Sequence, residues 1–146
     1  MKRLLSLVLC LILGLGCMTL ASATTGPAAE ADPNDPPPQR LSYISTATTS
    51  ISVSGGQASC TGSIVGYYGT TTKVEITLYL ERKTASGSTW TTYASDPKQT
   101  FNSFTGMYTM KKSVISGYQY RVRAVYTAWA GTKSETLTGY SSVMSY

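Results

Sequence analysis

The stretch Val114–Tyr126, with the sequence VISGYQYRVRAVY, decides the fold of this chain. It begins with a turn at Ser116-Gly117, and after the turn large or apolar side chains alternate with polar ones. This period of two is typical of a half-buried β-strand, because successive side chains point to opposite faces of a sheet. The predicted inward face carries Tyr118, Tyr120, Val122, Ala124 and Tyr126, and the outward face carries Gln119, Arg121 and Arg123.

Shorter alternating segments on both sides of this stretch predict the rest of the fold. The clearest is Thr72–Lys83, where the aliphatic residues between Val74 and Leu80 alternate with polar ones. No segment after residue 23 repeats apolar residues with the 3.6-residue period of a helix. The sequence therefore predicts an all-β protein, a single antiparallel sandwich of about seven strands rather than a barrel. The other predicted strands are Thr48–Val53, Gln57–Val65, Thr89–Tyr93, an edge piece at Lys98–Asn102, Met107–Val114 and a last strand from Lys133 to about Tyr146.

The turn and strand at Val114–Ala124 resemble part of the fibronectin type III domain. Those domains often read L-x-P-G-T-x-Y-x-V-R-V, and this chain matches in spacing, in Gly117, in Tyr120 and in the Val-Arg pair. Ser116 stands where the family has proline, and the second predicted strand lacks the usual tryptophan. The resemblance implies a fibronectin type III-like, immunoglobulin-like sandwich in which Tyr120 is a tyrosine corner, its hydroxyl bonding backbone across the turn. The segment LYLERKTASGSTWTTY (78–93) similarly looks like a C–C′ hairpin, and the whole chain resembles small exported bacterial proteins of uncharacterised function.

The first 23 residues have the pattern of a secretory signal peptide. Met1-Lys2-Arg3 is basic, Leu4–Leu20 is mostly apolar, and Ala21-Ser22-Ala23 offers the small side chains that a signal peptidase requires. Cleavage is predicted after Ala23, which gives a secreted, extracellular protein without a membrane span. Two alternatives stay open at this point: a lipid anchor on Cys17, since Gly16-Cys17 resembles the end of a lipobox, and a retained membrane anchor.

Residues 24–40 are predicted to form a disordered linker before a single domain at 41–146. This segment holds five of the six prolines and almost no large apolar side chain, so it cannot bury enough surface to offset its ordering entropy. Loss of Lys2 and Arg3 with the signal peptide lowers the net charge from +5 to about +3. The remaining basic residues are spread along the chain, whereas nucleic-acid binding needs a concentrated basic surface, so no nucleic-acid partner is predicted.

The chemistry of catalysis is sparse in this sequence. The absence of histidine removes the usual general base and most zinc sites. Glu75 and Glu81 share a strand face but lie roughly 20 Å apart at 3.3 Å per residue, too far for the carboxylate pair of a glycosidase. Ser95 and Lys98 match S-x-x-K, which we interpret as coincidence because Pro97 lies between them. We therefore expect no enzyme, no cofactor and no metal site.

The charged and sulfur-bearing residues of the predicted strands have structural interpretations. Arg121 and Arg123 would face acidic residues of the Thr72–Lys83 strand if the two strands are neighbours. Cys60 has no partner after signal cleavage and shares the inward parity of Ile64, which predicts a buried thiol. Pairing of Cys60 between two chains is the alternative.

Aromatic residues in three predicted loops suggest a binding surface. The loops are Gly66–Gly69, Asn102–Gly106 and Thr127–Gly131, which would cluster at one end of the sandwich. Each loop sets aromatic rings among small residues, the composition of adaptable recognition loops, although such rings also fold back over a core. The candidate binding residues are Tyr67, Tyr68, Phe104 and Trp129.

Two functions follow from these observations. The first is an exported, non-catalytic binding module that recognises a glycan or a protein at a cell surface through these loops. The second is a self-assembling structural protein, a homo-oligomer in which an edge strand such as the C-terminal LTGYSSVMSY (137–146) pairs with another copy.

Overall fold

The computed structural model describes residues 41–146, which form nine β-strands and contain no helix in that range. The predicted all-β class is therefore confirmed, and every predicted strand is present with shifted ends. The predicted signal peptide, the Cys17 anchor and the linker lie outside the described residues. The strands are β1 Ile44–Ser54, β2 Gln57–Gly66, β3 Lys73–Thr84, β4 Thr91–Ser95, β5 Gln99–Phe101, β6 Thr105–Ser113, β7 Tyr118–Ala130, β8 Lys133–Tyr140 and β9 Met144–Ser145.

The strands form two antiparallel sheets that pack face to face. One sheet has three strands in the order β1-β2-β6. The other has six, with the order β4-β3-β7-β8, while β5 also pairs with β3 and β9 with β7. β7 lies at the centre of the larger sheet and pairs with β3 over its whole length, from Tyr118↔Thr84 to Trp129↔Lys73. The stretch that dominates the sequence pattern is thus also the central strand of the fold.

The core lies between the two sheets and is filled by the inward residues of the alternating pattern. Tyr120, Val122, Ala124 and Tyr126 of β7 are all 0% exposed, as the period of two predicts. Burying each large apolar side chain contributes about 1.5–3 kcal/mol. The smaller sheet faces them with Ala58, Cys60, Ile64 and Met110. Beside them in the larger sheet, β3 adds Val74, Ile76, Leu78 and Leu80 to the same core.

Two predicted element boundaries near the C-terminus are wrong. The loop predicted at Thr127–Gly131 is mostly strand, because β7 continues to Ala130 and β8 begins at Lys133. The alternation in fact persists through these residues, with Ala128 buried, and β7 is paired on both sides there. The last strand is broken at Ser141–Val143, where the Ser141 hydroxyl accepts a hydrogen bond of 2.8 Å from the backbone N–H of Val122.

The predicted tyrosine corner is present. The hydroxyl of Tyr120 donates to the carbonyl of Ile115 at 2.9 Å and accepts from its N–H at 3.1 Å. The turn before β7 passes through Gly117, whose φ of +88° lies in the left-handed region that favours glycine. Together these contacts set the direction in which the chain enters the central strand.

A second buried tyrosine joins the two sheets. The hydroxyl of Tyr126 donates to the carbonyl of Thr48 on β1 and shares a 2.8 Å hydrogen bond with the Thr49 hydroxyl. The ring passes over Gly62 on β2, where an added Cβ would lie 3.0 Å from the Tyr126 hydroxyl and 2.9 Å from Leu78 Cδ2. A side chain at residue 62 would collide with these groups, so glycine is required here for β2 to pack closely against β7.

Candidate functional site

The loops that follow β2 and precede β6 meet at one end of the sandwich. The N–H of Gly66 donates to the carbonyl of Phe104 at 2.7 Å, and the N–H of Thr72 donates to the carbonyl of Trp129 at 2.8 Å. Two of the segments predicted to cluster, Gly66–Gly69 and Asn102–Gly106, are thus joined directly by a backbone hydrogen bond, and the third, Thr127–Gly131, is joined to Thr72. We call the three rings at this end, the exposed Tyr67 and Tyr68 and the half-buried Phe104, the aromatic pole.

The loop that carries Tyr67 and Tyr68 is held by hydrogen bonds inside and outside it. The N–H groups of Thr70 and Thr71 both donate to the carbonyl of Tyr67, at 3.1 and 2.8 Å. The buried Thr71 hydroxyl accepts from the N–H of Tyr67 at 3.1 Å and donates to the carbonyl of Tyr43 at 2.7 Å. These hydrogen bonds therefore fix the backbone that carries the two rings, both within the loop and against Tyr43 near the start of the domain.

Tyr68 is the most prominent side chain of the aromatic pole. It is 85% exposed, yet its ring meets Phe104 edge to face, with centroids 5.3 Å apart and planes at 81°. This is a favourable aromatic geometry, and it limits the rotamers of an otherwise open ring. Tyr67 beside it is 45% exposed, and Phe104 is half-buried. The pole thus presents one pre-oriented tyrosine with a second ring next to it.

Trp129, predicted as a loop residue, instead lies on the outer face of the six-stranded sheet near the end of β7. Its ring is half-buried, and the Lys73 ammonium sits 4.1 Å from the ring centroid. Its indole N–H is buried without a hydrogen bond of ordinary geometry, although it lies near enough to Glu75 to help lower the pKa of that carboxyl. Its backbone reaches the pole, but its ring belongs to the sheet face because the alternation of β7 continues past Tyr126.

The outer face of the six-stranded sheet is covered by ion pairs. Glu81 accepts from Nε of Arg121 at 2.8 Å and from Nε of Arg123 at 2.7 Å, so the predicted pairing of both arginines with β3 is confirmed. Glu75 binds Lys73 at 3.2 Å and Lys98 at 3.1 Å instead. Burial would raise the pKa of Glu81, but the hydrogen bonds from Arg123 and Arg121 more than offset it, and its pKa is lowered. Burial of Glu75 is likewise outweighed by its two lysines, and its pKa is lowered too.

Aromatic rings enclose the same arginines, which the sequence analysis did not foresee. Arg121 lies between Trp90 and Tyr140, 4.4 and 4.5 Å from the ring centroids, and Arg123 lies 4.0 Å from Tyr79. These cation–π contacts help to hold the guanidinium groups in place. For Tyr79 the sequence does contain a signal, because Tyr79 is two residues from Glu81 on the same strand and therefore points to the same outer face. The contributions of Trp90 and Tyr140 depend on strand pairing that sequence does not show.

The remaining candidate residues have structural partners. Cys60 is fully buried, and burial, with a smaller effect of Asp96, raises the pKa of its thiol to about 11, so the predicted buried thiol is confirmed. Asp96 binds Lys112 and the Tyr108 hydroxyl, each at 2.6 Å, and these contacts lower its pKa. Glu135 accepts hydrogen bonds from the backbone N–H groups of residues 42–44. All four side-chain carboxylates within 41–146 are therefore bound to the protein itself.

Within residues 41–146 no helix is long and apolar enough to cross a bilayer, and no cluster of acidic or cysteine side chains could hold a metal ion. No family model, curated protein or solved structure matches this chain.

Proposed function

We propose that this protein is an exported, non-catalytic binding module that recognises a surface glycan or protein through the aromatic pole. The observation that carries the proposal is Tyr68, an 85% exposed ring held edge to face against Phe104 on a hydrogen-bonded loop. A large exposed ring with a fixed orientation contributes contact area at low entropy cost, as in the recognition loops of antibodies. A ring whose only role was to cover the core would be buried.

The fold supports a recognition role at this end of the molecule. The sheet orders β1-β2-β6 and β4-β3-β7-β8, together with the Tyr120 corner, favour an immunoglobulin-like arrangement of the fibronectin type III kind. In such sandwiches the connections cluster at the two ends, where the sheets hold them in place. The aromatic pole is one of these ends.

A glycan is the ligand class that the pole fits best. The open tyrosine face is electron-rich, and it suits the weakly positive C–H groups on one face of a sugar ring. Tyr67, Tyr68 and Phe104 carry no charge, and the hydroxyls of Thr70 and Ser103 lie in the same loops as polar partners for sugar hydroxyls. The neutral character of the pole predicts binding that changes little with salt concentration.

The proposal is tested by measuring binding of the exported protein to an array of neutral glycans. Tyr68→Ala should weaken binding about tenfold or more, as truncation of a central aromatic residue does. Tyr146→Ala is the matched control, because Tyr146 is also exposed (41%) but lies near Gly56 and the backbone of Tyr118. Equal losses in the two variants, or unchanged binding in Tyr68→Ala, would contradict the proposal.

Self-assembly through an edge strand is the second candidate function, and β1 is the edge strand best suited to pair with another copy. From Thr46 to Ser54 this strand has no charge and no proline, and within the described residues it pairs only with β2. Edges of this kind lack the charged residues that usually prevent pairing with another copy. β8, the C-terminal edge of the larger sheet, carries Lys133 and Glu135. Light scattering over a concentration series should show growth that Ser50→Lys prevents and Thr138→Lys leaves unchanged; a constant monomer mass would exclude assembly.

A further inference from the structure

A cleft lies at the end of β3 away from the aromatic pole. Arg82, which lines the cleft, is nine residues along β3 from Lys73, the first residue of that strand at the end near the aromatic pole. At 3.3 Å per residue, the two residues are roughly 30 Å apart. The cleft has a volume of about 470 Å³ and is open to solvent on one side. We call it the Arg82 cleft; its walls are Arg82, Lys83, Thr84, Gly87, Ser88, Thr89, Thr91 and Tyr118.

Two basic residues, Arg82 and Lys83, line the cleft, and no acidic side chain does. Neither Arg82 nor Lys83 forms an ion pair within residues 41–146. The four side-chain carboxylates of that range are bound by Lys73 and Lys98, by Arg121 and Arg123, by Lys112, and by the N–H groups of residues 42–44. A concave surface with uncompensated charge of one sign concentrates counter-ions. The electrostatics of the cleft therefore select an anion.

Aromatic rings hold both cations in place without neutralising them. The Arg82 guanidinium lies between Tyr93 and Tyr118, 4.3 and 4.7 Å from the ring centroids. The Lys83 ammonium lies 5.3 Å from the centroid of Trp90. The rings bring no negative charge to Arg82, and the N–H groups of a guanidinium match the two oxygens of a carboxylate, phosphate or sulfate. The charges are thus pre-oriented for an oxyanion.

The other walls of the cleft suit a sugar that carries the oxyanion. Thr84, Ser88 and Thr89 contribute hydroxyls that can both donate and accept hydrogen bonds. The Thr91 hydroxyl already donates to the carbonyl of Arg82 at 3.2 Å, so it offers a ligand only an acceptor. The volume falls in the range of small-molecule sites, roughly 300–1,000 Å³, so it admits more than an inorganic ion. We propose that the Arg82 cleft binds an acidic saccharide, a sugar with a carboxylate, sulfate or phosphate group, as a second site separate from the aromatic pole.

The test is a calorimetric or NMR titration of the full exported chain at low ionic strength. The probes are trigalacturonate, its methyl ester, inorganic sulfate and inorganic phosphate, which separate the carboxylate, sulfate and phosphate sources of the same chemistry. At least one anionic probe should bind saturably, and added salt should weaken it. The methyl ester should bind far more weakly than the acid if the carboxylate is recognised. Failure of every anionic probe to saturate would overturn the proposal.

Charge-matched variants show whether the cleft itself is the site. Lys83→Gln should lower the affinity for the bound probe about tenfold, since it removes one charge-assisted hydrogen bond. Lys133→Gln, which removes the same charge from the exposed start of β8, should change affinity less than about twofold. Equal effects of the two variants would mean diffuse charge attraction and would refute the cleft.

Two further variants complete the test. Arg82→Gln should weaken binding more than Lys83→Gln, and near-ultraviolet circular dichroism reports whether this variant keeps its fold. Tyr68→Ala should leave anion binding unchanged, so failure of the cleft and failure of the aromatic pole are distinguishable. Loss of anion binding in Tyr68→Ala would place the anion at the aromatic pole and contradict a separate site.

Discussion

The six-stranded sheet faces the core with large side chains, whereas the three-stranded sheet faces it with small ones at its centre. Tyr120, Tyr126 and Leu78 are buried on the larger sheet, and Ala58, Cys60 and Gly62 are buried opposite them. The outer faces differ as well. The larger sheet carries arginine, glutamate and aromatic residues, and all outward residues of β1 from Thr46 to Ser54 are serine or threonine.

This difference teaches that the two sheets have separate tasks. The larger sheet supplies the bulk of the core and is reinforced on its outer face by ion pairs and stacked rings. The smaller sheet supplies a close-fitting surface, because small inward residues let the tyrosines of the larger sheet approach its backbone. The following substitutions sharpen or break this contrast, from the largest expected effect to the smallest.

Gly62→Val tests whether the smaller sheet needs small residues on its inward face. The new side chain would overlap Leu78 and the Tyr126 hydroxyl, and the strain of overpacking should lower the free energy of unfolding by about 3 kcal/mol. Urea denaturation measures this loss. Ser52→Val, at an exposed position of the same sheet, should change stability by less than about 0.5 kcal/mol. A well-folded Gly62→Val with wild-type stability would show that the two sheets are not closely matched.

Glu81→Gln tests the reinforcement of the larger sheet. It leaves Arg121 and Arg123 without their carboxylate, and because both arginines are about a quarter exposed the expected loss is about 1–2 kcal/mol. Glu75→Gln is the matched control with more exposed lysine partners, and it should cost less. Similar losses in both variants would show that a carboxylate shared by two arginines stabilises the sheet no more than one shared by two lysines.

The same carboxylate predicts an acid dependence of stability. The folded-state pKa of Glu81 is lowered from 4.5, so its contribution is present above that pH and is lost as the pH falls through the folded pKa. Unfolding curves measured from pH 6 down to pH 2 should therefore show wild-type stability declining more steeply than that of Glu81→Gln. Parallel declines would assign the acid sensitivity to Asp96 or Glu75, whose pKa values are also lowered.

Tyr120→Phe tests the corner that directs the chain into β7. The variant keeps the buried ring and removes the hydroxyl that bonds both backbone groups of Ile115, for an expected loss of about 1 kcal/mol. Tyr118→Phe, whose half-buried hydroxyl makes no such bond, should be near neutral. Thermal unfolding of the pair would refute the corner if both variants melted at the wild-type temperature.

Thr61→Val should have the smallest effect. The Thr61 and Thr109 hydroxyls share a 2.9 Å hydrogen bond on the exposed outer face of the smaller sheet. A cross-strand pair of this kind contributes about 0.2–1 kcal/mol, and valine offsets part of the loss through its high strand propensity. Chemical denaturation should show a change near the limit of detection. A loss as large as that of Glu81→Gln would mean that the serine and threonine hydroxyls on the outer face of the smaller sheet stabilise it as much as the ion pairs stabilise the larger sheet.

Prediction from the sequence succeeded where one strand alone holds the signal. The alternation at Tyr118–Tyr126, the turn at Gly117 and the inward parity of Cys60 are all local patterns, and the structure confirms each. Prediction failed at Thr127–Gly131, because threonine, alanine and glycine are compatible with a loop until strands on both sides pair with them. Trp129 was misplaced for the same reason.

The all-β class, the central strand and the inward and outward faces follow from the sequence, since side-chain parity along a strand is a property of the local chain. Which residues meet across strands depends on how the strands pair and on how the two sheets pack. It brings Tyr68 against Phe104, shares Glu81 between two arginines, and encloses Arg82 between Tyr93 and Tyr118. These contacts join residues far apart in the chain, and their register depends on strand order and pairing, which no single segment encodes.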